Sequence, residues 1–267
     1  MSKLQRYNQK LLAIIGTVLL LFALFGVIAG IVVVIIEAFD KPSTPDGIQV
    51  NINDSSHNRP ADLIRHQISF KEPIQLDTAE AIYLSPVGQV KISEDEKSRN
   101  SSFWGSGSSY ESGKYKFNSY YGFYNNFVLN DFSKNTSHQI FKEKVVISHW
   151  AHVKIKEEDI LLFRGVSSDQ NNDHLLNDED YQSLYVYDIN KDGLQKFHFD
   201  NQTVLSFEPL KKTDFVMVKV GEDINGDKVY FSNSEPQKTL ILNVHTKKLE
   251  ELIPDTMKES IQKLIEQ

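Results

Sequence analysis

The chain has 267 residues, 40% of them hydrophobic, with 36 Asp and Glu against 29 Lys and Arg, and no cysteine. That length allows one or two domains with a buried core, and a net charge of -7 offers no basic face to neutralise phosphates, so no nucleic-acid partner is expected. Without cysteine there are no disulfides and no thiolate metal sites, which leaves packing or hard cations to stabilise an exported domain.

Residues 1–10 carry Lys3, Arg6 and Lys10, and residues 11–36 carry no charge at all. As a helix this stretch would rise about 39 Å, more than the roughly 30 Å of a bilayer's hydrocarbon, so it predicts a transmembrane helix crossing with tilt. A signal-peptide core of about 7–15 residues is too short to explain it, so the anchor is expected to stay uncleaved. The basic flank before the span and Glu37 and Asp40 after it predict a cytoplasmic N-terminus with everything beyond outside. In a Gram-negative bacterium that means an inner-membrane protein facing the periplasm. Gly26 and Gly30 stand at the spacing that lets two such helices approach closely, a candidate homo-oligomer contact, although glycine is common in membrane helices anyway.

Residues 37–62 hold Pro42, Pro45 and Gly47 among Asn, Asp and Ser and read as a stalk. Residues 63–267 read as an extracytoplasmic β-domain. Ser69 to Leu76 and Ala81 to Ile92 have strand character, with Pro73 and Pro86 suited to edges. Aromatics then crowd together, among them Trp104, Tyr110, Tyr120, Tyr121 and Tyr124, interleaved with Ser, Gly and Asn. Such a stretch serves either as an exposed surface for a glycan or an envelope protein, or as a hairpin whose rings fold back onto the core.

From Phe127 the pattern repeats. Strands starting at Phe127, Leu184 and Leu240 are each followed by a polar turn and a second strand, at His138, Leu194 and Leu249. Two further pairs precede the last two copies: Val146 and Asp159, then Val204 and Asp214. Four short antiparallel strands per unit of roughly 40–50 residues is the pattern of a propeller blade. The segment L-Y-V-Y-D-I-N-K-D-G-L-Q-K-F, Leu184 to Phe197, resembles the final hairpin of the propeller repeats in TolB-like periplasmic proteins. Residues 68–252 are similar to uncharacterised bacterial single-pass membrane-anchored proteins whose repeats carry D-x-N-x-D loops. The resemblance implies propeller-like repeats and carries no activity. Only about two and a half units are visible where closed propellers have at least four. Either an irregular unit lies before Phe127, or the sheets stack without closing and an oligomer covers their open edges.

Two acidic loops link the second and third strands of the last two units. In the first, Asp169, Asn171, Asp173, Leu175, Asn177 and Asp180 occupy positions 1, 3, 5, 7, 9 and 12 of a calcium-type frame, with His174 in place of the turn glycine. In the second, Asp223, Asn225 and Asp227 keep positions 1, 3 and 5, but Ser234 stands at position 12 and Glu235 comes one residue late. Structural Ca²⁺ is the candidate cofactor at both; Asp and Asn also build such turns unaided. Asp188 to Gly193 fits the same short motif but aligns with ordinary hairpin turns. His149 and His152 suggest zinc, but in a strand they point to opposite faces with no third ligand nearby. No nucleophile elbow, zinc-protease helix or phosphate loop occurs. After Pro254, Met257, Ile261, Leu264 and Ile265 share one face of a short helix expected to dock on the sheets. A membrane-anchored binding or scaffold protein of the bacterial envelope is the reading these features favour; the alternative is an envelope hydrolase with scattered catalytic groups.

Overall fold

The computed structural model describes residues 15–16, 22, 48–49, 65–77, 81–92, 107–112, 115–228, 230 and 234–266. Of the expected membrane span, Ile15, Gly16 and Phe22 fall among these, all in helical backbone; Gly26, Gly30 and Trp104 lie outside them. Among the described residues no helix is long and apolar enough to cross a membrane. The chain divides into two units, Met1–Asp46 and Gly47–Gln267, and the second carries the fold.

In chain order the strands are β1 (Ile48–Gln49), β2 (Arg65–Phe70), β3 (Ile74–Asp77), β4 (Ile82–Ile92), β5 (Gly107–Ser112) and β6 (Tyr115–Tyr124). Then come β7 (Asn126–Asp131), β8 (Thr136–Gln139), β9 (Val146–Ile155), β10 (Glu158–Val166), β11 (Leu175–Leu176) and β12 (Ser183–Asp188). The last are β13 (Gly193–Phe197), β14 (Gln202–Pro209), β15 (Phe215–Glu222), β16 (Gln237–Asn243) and β17 (Lys248–Glu251), followed by helix α1 (Asp255–Ile265).

The protein is mainly β, its sheets antiparallel and none closed into a barrel among the described residues. A six-stranded sheet runs β13-β12-β10-β9-β6-β5, a four-stranded sheet runs β14-β15-β16-β17, and a five-stranded sheet runs β2-β4-β7-β8 with β3 also on β4. The units starting at Val146 and Val204 are therefore two consecutive four-strand meanders, and the stretch before Phe127 supplies an irregular third. The hairpin β5–β6 leaves that third unit and adds to the free edge of β9, widening the six-stranded sheet.

Alternation along β9 and β10 explains why the six-stranded sheet is central. Trp150, Leu161 and Phe163 face the five-stranded sheet and meet Leu84, Phe127 and Phe141, while Val153, Ile160 and Leu162 face the four-stranded sheet and meet Val204, Val218 and Leu242. With both faces covered, these strands read as nearly continuous apolar runs. A third, small cluster joins Val146, Val166 and Leu176 to Ile48 and Phe123. Ile48 pairs with Leu176 through β1 and β11, so the segment expected as a stalk is tied to the domain at that point.

The hairpin turns repeat as faithfully as the strands. Asp131, Asp188 and Asn243 each accept two hydrogen bonds from the turn that follows them, and Asn135, Asp192 and Lys247 close those turns in the left-handed region, with φ of 53°, 51° and 54°. The Asp188 segment is accordingly a turn. The helix α1 forms as expected, but it buries none of its residues: Met257, Ile261, Leu264 and Ile265 are all exposed. The expected docking on the sheets is not what the structure has.

Ion pairs join the turns at one end of the central and four-stranded sheets. His245 lies 3.1 Å from Glu158 and 3.2 Å from Asp214, Lys156 lies 2.6 Å from Asp214, and Lys247 lies 3.1 Å from Glu158 and 3.5 Å from Asp188. Burial pushes Glu158 and Asp188 up, but His245 and Lys247 on one and Lys191 and Lys247 on the other more than offset it, and Lys156 with His245 lowers Asp214. All three carboxyls thus titrate below their ordinary range. A depressed folded-state value means stability that is present above the unfolded pKa of about 4 and lost as pH falls through the folded one. Asp180, raised by burial, titrates in the opposite sense, one group against these three. The melting temperature is expected to hold level from pH 7 to about 5 and to fall steeply below about 4. Thermal melts across that range check it, and added salt should shrink the drop.

Candidate functional site

Both acidic loops follow one backbone template. Asp169 accepts the N–H groups of Asn172 and His174 at 2.7 and 2.9 Å, and Asp223 accepts those of Gly226 and Lys228 at 2.7 and 3.0 Å. Positions 4 and 6 are left-handed in both, with φ of 63° and 68° at Asn172 and His174 and 74° and 68° at Gly226 and Lys228. Glycine therefore serves at position 4 of the second loop, and asparagine, which tolerates that region, does so in the first. Asn171 caps the Asp173 N–H at 3.0 Å and Asn225 caps that of Asp227 at 2.8 Å.

The closing carboxylate recurs as well. Asp180 accepts the Gln170 N–H at 2.8 Å, and Glu235 accepts the Ile224 N–H at 3.2 Å, in each case the second residue of the loop. Counting positions had left the second loop without a closing acid. The longer glutamate, one residue late, reaches the N–H of the corresponding residue, so the second loop has a closing acid after all. Asp180, Asp223 and Glu235 are all buried. Tyr181, adjacent to Asp180, donates its hydroxyl to Asp223 and so ties one loop to the other. Burial pushes the Asp223 carboxyl up, but Tyr181 and the loop N–H groups outweigh it and hold the group below its usual range.

The remaining candidate ligands have local duties. Asp173 accepts the Leu175 N–H at 2.8 Å, Leu175 pairs with Gln49 in β11, and buried Asn177 accepts the Glu179 N–H at 2.8 Å. Among the described residues no three His, Asp or Glu side chains come together closely enough to hold a metal ion.

The aromatic stretch divides. Tyr124 is buried against Phe127, and Tyr120 stacks on Trp150 with ring centroids 4.3 Å apart, so both belong to the core between the five- and six-stranded sheets. Tyr110 lies on edge strand β5. Tyr121 is the exception: it is 44% exposed, and one face of its ring lies on His149 at 4.1 Å and 5°. His149 in turn stacks on Phe207 of β14 at 4.2 Å and 5°.

His149 and His152 are each 1% exposed and lie on opposite faces of the central sheet. His152 bonds Asp159 at 2.6 Å on the side where Lys154 reaches Asp77, also at 2.6 Å. His149 bonds Ser119 at 2.7 Å on the other side, and burial, with the charge of Arg164, pulls its pKa down to about 3, so it is neutral at any physiological pH. A zinc reading of the pair is not supported by this geometry.

The strand pairing sets Tyr121, His149 and Arg164 in one row across β6, β9 and β10. Strand alternation sets the row on the same face as Val153, Ile160 and Leu162, toward the four-stranded sheet, and a bulge at Arg164 and Gly165 follows it directly. Arg164 donates from Nε to Ser148 at 3.0 Å and from Nη1 to the Leu205 carbonyl; Ser148 donates to Gln182 at 3.1 Å. Arg164, Ser148 and Gln182 were not among the expected site residues. The signal was present in E-D-I-L-L-F-R-G-V, where a single cation interrupts an apolar strand. No protein-family model matches the chain, and neither a curated protein nor a solved structure does.

Proposed function

We propose that this chain is a membrane-tethered β-domain of the bacterial envelope that binds a polymer or protein outside the cytoplasm rather than transforming it. One observation carries the choice over a hydrolase built on His149 or His152: each is 1% exposed, on opposite sides of a sheet, where no substrate reaches it. Residues 11–36 serve as the anchor, with Lys3, Arg6 and Lys10 on the cytoplasmic side. The stacked meanders fit an open, three-unit relative of TolB-like propellers. The edge strand β17 carries Lys248, Glu250 and Glu251, charges that oppose edge-to-edge pairing and leave recognition to a sheet face. The acidic loops act as braces between units, with Ca²⁺ as an additional ligand only if melting responds to it.

Two measurements test this reading. Protease added to intact spheroplasts is expected to remove everything beyond the anchor, and protection of the domain would reverse the orientation. Full-length protein in detergent is expected to sediment with isolated envelope material; recovery in the supernatant with every envelope fraction would overturn the binding function.

A further inference from the structure

The two ends of the sheets differ in chemistry. At one end lie the hairpin turns and their ion pairs, where Lys156 and His245 meet Asp214 and Lys247 meets Glu158. The other end carries the two acidic loops, and short contacts tie its parts together. Ile48, where the chain enters the domain, pairs with Leu176 in the first loop, and Tyr181 beside that loop bonds Asp223 of the second. Lys238 lies 2.9 Å from Glu222, where the second loop begins, and 3.8 Å from Glu251, the last residue of β17. Lys258 in the first turn of α1 pairs with Glu251 and Asp255. Chain entry and α1 thus share the acidic-loop end.

Apolar surface gathers at this end as well. Leu252 and Ile253 follow β17 directly, and Met257, Ile261, Leu264 and Ile265 form one stripe of α1; all six are exposed. Asp255, Glu259 and Lys263 lie on the opposite face of the helix. Ile224 in the second loop is exposed at the same end. At the turn end the exposed Phe132, Leu194 and Phe215 stand singly in three different hairpins. A continuous apolar surface of the first kind marks a contact, whereas scattered residues of the second kind need no explanation.

Where the chain enters decides what covers the stripe. In the function proposed above the anchor ends at residue 36, and residues 37–47, fully extended at about 3.5 Å each, reach about 40 Å at most. The acidic-loop end, not the turn end, is the one this tether draws to the bilayer. A second copy docking there would bring together two acidic loop ends of a chain with net charge -7. Lys258 and Lys263 stand against Asp255, Glu259 and Glu266, so α1 offers an anionic partner no basic face. Its attraction is apolar, which suits the boundary between headgroups and acyl chains.

We propose that α1, with Leu252 and Ile253, lies in the near leaflet of the bilayer that the anchor crosses, holding the acidic loops toward the lipid and the hairpin turns away from it. The proposal rests on the membrane tether proposed above and adds a second point of attachment to it.

The chain has no cysteine, so single introduced cysteines carry spin labels without competition. Full-length protein in phosphatidylcholine liposomes is labelled at Leu24→Cys in the anchor, at Ile261→Cys and Leu264→Cys on the stripe, at Glu259→Cys on the opposite face of α1, and at Leu194→Cys at the turn end. Because α1 buries none of its residues, the helix variants leave the core untouched. Depth is read from relaxation by oxygen, which partitions into lipid, against relaxation by a water-soluble nickel chelate. Labels at Ile261 and Leu264 are expected about 5–10 Å below the headgroups, with Glu259 shallower and Leu194 in water. Nickel access at Ile261 and Leu264 equal to that at Leu194 overturns the proposal, because the stripe then faces water. Low access to both reagents overturns it too: dipolar broadening that dilution with unlabelled protein removes assigns the stripe to a second copy, and its absence assigns the stripe to the domain itself. In each of these cases a Leu24 label in lipid leaves the tether standing. A Leu24 label open to nickel overturns the tether.

Discussion

Gly165→Ala is expected to destabilise the domain by about 3 kcal/mol, far more than adding a methyl group to a strand ordinarily costs. A Cβ at this position would lie 2.4 Å from the Val146 carbonyl oxygen and 2.5 Å from Ile147 Cδ1. The first of these is backbone in the neighbouring strand, so no rotamer change relieves it. Gly165 sits where the β9–β10 register shifts, with Arg164 opposite His149 and Gly165 opposite Ile147. The bulge absorbs Ser148 and lets Ile147 and Trp150 both reach the core on one side while His149 and Arg164 face the other. Widening the strands here would disturb the core and the Tyr121–His149–Arg164 row together. Urea unfolding followed by tryptophan fluorescence should show the midpoint falling by about 1 M at an unchanged slope. Gly193→Ala is the control: an added Cβ there meets nothing within 4 Å, and the change should stay within about 0.5 kcal/mol of the parent. A Gly165→Ala protein as stable as this control would mean that the bulge is adaptable and does not fix the row.

What could be read in advance follows the range of the interactions involved. The repeated hairpins were legible because each is local: an Asp or Asn opens the turn, a left-handed residue closes it, and apolar alternation flanks it at Asp131, Asp188 and Asn243 alike. The opposite facing of His149 and His152 was legible for the same reason, since strand alternation decides it. The long-range choices were not. Nothing near Tyr115–Tyr124 says that this strand pairs with β9 instead of with its own unit, and that choice sends Tyr120 and Tyr124 inward and leaves Tyr121 outside. Position counting failed at Glu235 because a side chain one methylene longer spans a one-residue offset. It failed at α1 for a different reason: an apolar helical stripe shows that a helix can be buried, not that the chain supplies anything to bury it. Arg164 was passed over because a lone cation in a strand ordinarily marks a solvated position, whereas here it is held between two sheets.

Asp180→Ala is expected to cost about 2–6 kcal/mol, at 1–3 for each of two backbone donors stranded without water to replace its acceptor. The carboxylate holds the N–H groups of Gln170 at 2.8 Å and of Asn177 at 3.3 Å, and Asn177 is itself buried. Asp180→Asn keeps one acceptor oxygen and should lose less than half as much. Glu235→Ala should cost less than Asp180→Ala, because Glu235 serves the N–H of Ile224, a residue 70% exposed where water can step in. That ordering separates two accounts of the loops. If their acids are structural caps, stability follows the number of buried N–H groups each one serves, and melting is the same in calcium and in chelator. If instead the loops hold Ca²⁺, saturating calcium at a hundredfold above its Kd must stabilise the parent by about 2.7 kcal/mol, and the Asp180 and Glu235 variants must both lose that increment. The geometry favours the caps, since Asp169, Asp173, Asp180, Asp223 and Glu235 each accept backbone N–H groups of their own loop and, among the described residues, no three acids converge. Tyr181→Phe adds a discriminating case. It removes the hydroxyl that joins Asp223 to the first loop without touching a possible ligand, so under the capping account it destabilises, and under the calcium account it leaves the calcium increment intact.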